Sequence, residues 1–399
     1  MTDKTAGAMV AADTKSIKDY IMGNIRDYGM LLSLLVIIVF FQYMTGGIML
    51  APQNVNNIVM QNGYVIVMAL GMLLVIVAGY IDLSVGSVCA LAGAIAGVLM
   101  QRWQWDWVSA SLVTLALGAI IGGSQGYFIA YLRIPSFIVT LGGMLIFRGL
   151  TWKVLGSTNA GPFADAFDKI SSGWIPDPWG GANFWPLTLA IGLGLAAIGV
   201  VLQIKGRMER QKHGVEEEPA VVFLGRLVLM FAAASYVSYL LAHWRGIPNM
   251  LVIMAILILV YSFVTTRTVV GRRIYALGGN EKAAKLSGVK TERLAFFTFV
   301  NMGVLAALAG LIVTARFGYA TPKAGDGYEL DVIAACFIGG ASASGGVGKV
   351  TGAVIGALLM GVMNIGMSIL GLGIDDQKMI KGIVLLFAVC LDVYYKKKG

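Results

Sequence analysis

Apolar runs of about 18 residues or more recur along this chain, each long enough to cross a hydrocarbon core of ~30 Å as an α-helix. Two of them, ILILVYSFVTT and FFTFVNMGVLAALAGLI with their neighbours, bracket a short basic stretch and carry almost no charge themselves. In lipid every backbone amide must find its partner within the chain, so runs of this kind become helices. Composition agrees: 58% of the residues are hydrophobic and 13% are charged, about half the charged share of a soluble domain. The fold class is therefore an all-α polytopic integral membrane protein. The net charge of +9 does not point to nucleic acid, because the basic residues lie in loops between spans and form no single patch. They follow the positive-inside bias instead.

Candidate spans run over 29–50, 58–78, 85–100, 108–131, 136–152, 185–203, 227–244, 250–266, 295–315, 350–370 and 379–394. A weaker segment at 332–346 is short and rich in glycine. It reads as a half-helix or re-entrant element, a form tolerated only where protein or a water-filled cavity surrounds it. The expectation is 10–12 transmembrane helices. The transmembrane domain then covers 29–395, between an N-terminal tail at 1–28 and a basic tail at 396–399.

With the N-terminus inside, the cytoplasmic side holds more than twice as many Lys and Arg as the outer side, so both termini are expected to be cytoplasmic. The eight tryptophans fall at or beyond the outer ends of the spans. The polar start of the chain lacks an apolar core and a small-residue cleavage site, and reads as a tail rather than a removable signal. Residues 156–184 form an outer loop, and 204–225 form a charged inner linker containing His213. The spans flanking these two segments can be an insertion into a smaller core of ten crossings.

Enzyme chemistry finds no footing. SASGGVGKVTG resembles a phosphate loop, but Ala343 stands where the first Gly is required and Val350 follows Gly348-Lys349 where Ser or Thr is required. His213 and His243 are isolated, and Cys89, Cys336 and Cys390 sit in separate apolar segments, where they read as small buried hydrophobes. No metal site is expected. Glycines 348, 352 and 356 repeat every four residues, a face on which helix backbones approach closely.

Ionisable groups in or beside spans are costly and informative. Asp82, with Ser84, stands at the end of a span and can cap the next helix. Arg148 lies further into a span and needs a carboxylate or carbonyl partner. Glu329 and Asp331 open the glycine-rich element and suit a helix N-terminus. Gln61, Asn62, Ser124, Gln125, Thr140, Asn301 and Asn364 are embedded in apolar surroundings. Each either faces a solute pathway or bonds to a neighbouring helix.

The basic stretch GRRIYALGGNEKAAKLSGVKTERLA lies in the loop 267–294. Its charge reports the side it lies on; its remaining residues report structure. Asn280 can cap, EKAAKL forms helix readily, and Gly288 is placed to end it through a left-handed residue. A helix of about two turns is marginal alone in water, so it leans on a partner.

Four stretches, GYIDLSVGS at 79–87, IPSFIVTLGGMLIFRGL at 134–150, GRRIYALGGNEKAAKLSGV at 271–289 and GYELDVIAACFIGGASASGGVGKVTGAVIGAL at 327–358, together resemble the membrane permease of bacterial ATP-binding-cassette importers for monosaccharides. That broad family also includes branched-chain amino-acid permeases, and the longer xylose-type and multiple-sugar permeases look most similar. The resemblance implies a permease homodimer in the lipid of the inner membrane, a cytoplasmic ATP-binding subunit and a periplasmic sugar-binding protein. It implies a monosaccharide substrate such as xylose, arabinose, galactose or glucose, and no cofactor of the chain's own, since ATP is bound by the partner. It also implies that the basic loop holds the ATPase-coupling helix, carried here by Gly279, Asn280, Ala283, Ala284, Gly288 and Val289. One departure is Tyr80, where many ribose-type relatives have Gly. The candidate pathway or gating residues are Gln61, Asn62, Asp82, Ser84, Thr140, Arg148, Asn301, Glu329 and Asn364. The competing reading is an ion-coupled secondary transporter of a small polar solute.

Overall fold

The computed structural model describes residues 25–181, 183–213 and 219–398, with side chains described between 29 and 390. The expected N-terminal tail at 1–24 and residues 214–218 of the expected linker lie outside the described residues. The chain is helical, with two isolated β-bridges, Ala160 to Ala320 and Trp174 to Pro248, and no strand among the described residues.

In chain order the helices are α1 (Ile25–Met44), α2 (Pro52–Val77), α3 (Val85–Gln101), α4 (Trp107–Ala130) and α5 (Ser136–Leu155). Then come α6 (Asp165–Ser172), α7 (Pro186–Lys212), α8 (Ala220–Ala242), α9 (Asn249–Arg267), α10 (Val269–Gly279) and α11 (Glu281–Leu286). The chain closes with α12 (Thr291–Phe317), α13 (Tyr328–Ile338), α14 (Val350–Ile369) and α15 (Ile374–Lys398). Eight of these are long and apolar enough to cross a membrane, and the apolar helices Gly29–Met44 and Val85–Gln101 are shorter.

Three long helices make the core. The most apolar stretch of α2 is 83% buried and those of α12 and α14 are each 67% buried, against 11% for α7 and α8. The latter two pack mainly on each other at the periphery. Small residues set how closely the core helices approach. A methyl added at Gly118 or Gly122 of α4 would collide with the backbone of α12 at Gly303 or Phe299, and one at Gly303 would collide with Gly118. The glycine series of α14 divides: Gly352 and Gly356 press on Gly339 and Ala335 at the end of α13, while Gly348 meets Leu73 and Val77 of α2.

Two helices start inside the bundle. After α2 ends, the chain turns at Gly79 (φ +89°) and runs back to start α3 at Val85, with Asp82 and Ser84 buried. After α12 it turns at Gly318 (φ +68°) and runs back to start α13 at Tyr328. The two returns meet: Gly86 packs against the Gly325 carbonyl and Glu329. The expected short element exists as the 11-residue helix α13, starting at Tyr328 instead of Val332.

Other expectations are corrected by the packing. The loop expected outside, 156–184, contains α6, whose Phe167 is fully buried against Leu311 and Ala315 of α12. The span expected to end at Gln203 continues as helix to Lys212, because a run of Lys, Arg, Glu and Gln keeps high helix propensity outside the membrane. Cys89 and Cys336 are buried, but Cys390 is exposed on α15.

Candidate functional site

Between α2, α12, α13 and α14 lies a cavity of about 310 Å³. Its wall combines Gln61, Asn62 and Tyr64 from α2 with Arg316 and Phe317 from α12, Tyr328 from α13, and Gly361 and Asn364 from α14. The geometry follows from antiparallel packing: Gly361 of α14 sits against Asn62, while Gly348, before α14, sits against Leu73 and Val77. Asn62 is 2% exposed and donates through Nδ2 to the Ala357 carbonyl. The rings of Tyr64 and Tyr328 stack with centroids 4.2 Å apart. Three sequence candidates, Gln61, Asn62 and Asn364, are brought together here.

Behind the cavity, Asn364 Nδ2 donates to Asp331 at 3.2 Å, and Lys381 of α15 stands 3.0 Å from both Asp331 carboxylate oxygens. Asp331 is 2% exposed, so this pair ties α13 to α15 in a place where either charge alone would be costly.

The other candidates serve contacts between helices and do not line the cavity. Asp82 Oδ1 accepts the Ser84 amide at 2.8 Å and the Ser84 hydroxyl at 2.7 Å, which shapes the turn before α3 without capping the helix beyond it. Ser84 also bonds Gln125 of α4. Thr140 Oγ1 donates to the Ser136 carbonyl at 2.9 Å and reaches the Ile81 carbonyl at 3.5 Å. Asn301 accepts from the Tyr261 hydroxyl, joining α12 to α9. Arg148 finds carbonyl partners, donating to Ala324 and to Gly325 at 2.8 Å, which fixes the returning segment before α13. Glu329 opens α13 beside Gly86, away from the cavity wall. Tyr80 packs near Phe299, with ring centroids 5.8 Å apart, and is not in the cavity wall either.

Sequence reading missed Tyr64, Tyr328 and Arg316. Tyr64 lies inside the candidate span 58–78, Tyr328 lies just before the weaker segment at 332–346, and Arg316 lies just past the candidate span 295–315, so none stood out as lining a site.

The basic stretch forms two short helices at the opposite end of α2. Asn280 caps α11, its side chain accepting the Ala283 amide at 3.0 Å. Gly288 (φ +82°) stops the helix, and the Val289 amide closes back on the Ala284 carbonyl at 3.1 Å. Ala284 is buried, whereas Leu286 is 90% exposed. Lys285 pairs with Glu292 at the start of α12. The preceding helix, α10, is anchored more firmly: the Tyr275 hydroxyl donates to the Gly348 carbonyl at 2.7 Å. A Cβ at Gly278 would overlap the Val77 carbonyl and crowd the Gly346 amide, which itself donates to Val77 at 2.8 Å. The ends of α10 and α2 and the loop between α13 and α14 therefore form one joint.

Short helices and non-helical turns packed among long apolar helices, beside a partly polar cavity, suit a membrane protein that carries a solute. The chain belongs to the family of permease components of branched-chain amino acid transport systems, whose pattern matches residues 54–389. It is 39% identical over 377 residues to the xylose transport system permease protein XylH of Escherichia coli (strain K12), covering 94% of each chain. The XylH of Haemophilus influenzae is 39% identical over 376 residues, covering 94% of this chain and 98% of that one. The ribose import permease protein RbsC of Escherichia coli (strain K12) is 35% identical over 341 residues, covering 85% of each. No solved structure was found to match.

Proposed function

We propose that this chain is the membrane-spanning subunit of an ATP-binding-cassette importer that moves a monosaccharide inward, xylose or a similar sugar. The observation that carries this reading is likeness along 94% of both chains to a xylose permease. The basic joint supports the energetic part. A short capped helix with Leu286 exposed is suited to a groove on a cytoplasmic ATPase, with both termini of this chain on that side. ATP is held by that separate subunit, and the sugar arrives from a soluble binding protein on the outer face; the permease works as a homodimer.

The geometry gives the coupling a route. A push on α11 reaches α10, and α10 is fixed to α2 and to the loop before α14 through Val77, Gly346 and Gly348. Both of those helices frame the cavity. From Val77 to Asn62 along α2 is about 22 Å at 1.5 Å per residue. A rigid, buried helix of that length carries displacement that a flexible loop would absorb.

Reconstitution tests the reading. Vesicles holding the permease with its ATPase, the binding protein outside and ATP inside, should accumulate labelled xylose, and omission of either partner should abolish uptake. Uptake by the permease alone, driven by a proton or sodium gradient, would establish the secondary-transporter reading instead.

A further inference from the structure

The outward face of α10 is a charged, partly apolar surface that the fold leaves unused. Arg267, Arg272 and Arg273 are exposed, and among the described residues their side chains have no hydrogen-bond or ion-pair partner. No Asp or Glu lies between 267 and 280 to balance them. Val269 and Val270 stand beside them, about half exposed at 49% and 51%. The opposite face is committed to the bundle, with Gly271, Ile274 and Leu277 buried.

Backbone geometry fixes the depth of this face. Thr268 leaves helical geometry at φ −97° and ψ 158°, so α10 does not continue α9. Gly271 instead comes back against the backbone of Val264 and Thr265, where a Cβ would collide. The first turn of α10 therefore lies level with the last turn of α9, the end of an apolar span whose Leu259, Val260 and Phe263 are exposed. Further along, Gly278 meets Val77 at the end of α2. The helix thus crosses from the end of one span to the end of another, with arginines and valines outward. An amphipathic helix so placed lies in the membrane interface, its apolar side chains at the acyl boundary and its cations among the headgroups.

The charges select the headgroup. A guanidinium matches a phosphate through two parallel hydrogen bonds. Three of them without an acid favour a lipid of net negative charge, whereas the choline of a zwitterionic lipid brings a cation that they repel. The neighbouring α11, given to the ATPase above, is not part of this face.

We propose that the outward face of α10 binds an anionic phospholipid. Arg267, Arg272 and Arg273 hold the headgroup phosphate, and Val269 and Val270 rest on the acyl chains. The bound lipid presses α10 onto the bundle and steadies the joint made by Tyr275 and Gly278.

The test is native mass spectrometry of the full-length chain in mild detergent, titrated with phosphatidylglycerol or phosphatidylcholine. It needs neither ATPase nor transport, so its outcome is independent of the importer reading. Preferential retention of phosphatidylglycerol is expected. The double variant Arg272→Gln, Arg273→Gln should bind it about thirtyfold more weakly, ~2 kcal/mol for two cations near an anionic surface. Both side chains are exposed, so the fold survives their loss. The matched variant Arg210→Gln, Lys212→Gln, which removes the same charge from the end of α7, should keep the affinity of the unaltered chain. Amide hydrogen exchange over 271–279 should slow when phosphatidylglycerol is added to the unaltered chain. Equal retention of the two lipids, unchanged affinity in the Arg272/Arg273 variant, an equal loss in the α7 variant, or exchange that lipid does not slow would overturn the proposal. Displacement of the lipid by inorganic phosphate would overturn it too, by making this a free-anion site. So would loss of ATPase binding by the lipid-free Arg272/Arg273 variant with phosphatidylglycerol retained, which would give the face to the partner subunit.

Discussion

Asn280 and Gly288 bound a helix of six residues, a length at which an isolated helix does not hold in water. Asn280→Ala should cost about 1 kcal/mol of local stability, read as faster amide hydrogen exchange over 283–287 with the rest of the chain unchanged. Tyr275→Phe removes one hydrogen bond to the Gly348 carbonyl and should cost about 1 kcal/mol; a lowered midpoint in detergent thermal melts, with weaker coupling, would show it. These two residues also mark how far sequence reading extends. The Asn start and Gly stop were legible because capping is a local matter of side chain and φ. The Tyr275 contact was not, since its partner lies 73 residues away in the chain. For the same reason the cavity was half visible. Gln61, Asn62 and Asn364 stand out against aliphatic neighbours, whereas Arg316 becomes a lining residue only once α12 is packed against α2 and α14.

At the scale of elements, the pair joining α13 and α15 is the most exposed to a single change. Lys381→Met would leave Asp331 charged, buried and without its cation, a loss of about 3–5 kcal/mol. Adding Asp331→Asn to that variant should restore most of the melting temperature, since the uncompensated charge is gone. No recovery in the double variant would mean that the pair matters for something other than charge balance. The seam of α4 and α12 gives a second expectation. Gly303→Leu would drive a side chain into the Gly118 carbonyl and should destabilise by about 1–3 kcal/mol or more, as overpacking does. Of the glycine faces, the 348–356 series was readable from its four-residue period, and two of its three members do form the α13–α14 contact. A short helix was readable at α13, whose segment is too short to cross. The burial of Asp82 and Ser84 before α3 was not readable, since the 17 apolar residues of that helix look like an ordinary span.

Across the whole molecule, α2, α12 and α14 form the buried centre and α7–α8 the periphery, with the basic joint at one end of α2 and the polar cavity near the other. The apolar runs dictated an all-helical membrane fold because lipid leaves the backbone few alternatives. They could not dictate the number of crossings, since a broken helix and a full one share the same composition. The central claim is that α10–α11 passes an ATPase's work to the bundle. Gly288 is the position to probe, because a Cβ there meets nothing within 4 Å while its φ of +82° disfavours any other residue. Gly288→Leu should therefore strain the turn locally, by about 1–2 kcal/mol, and leave the bundle folded. The measurement is xylose uptake and ATP hydrolysis recorded together in proteoliposomes of the complete transporter. The account predicts that uptake per ATP falls about tenfold or more, the effect of losing ~1.4 kcal/mol of coupling, while hydrolysis continues. Uptake per ATP equal to that of the unaltered protein would contradict it.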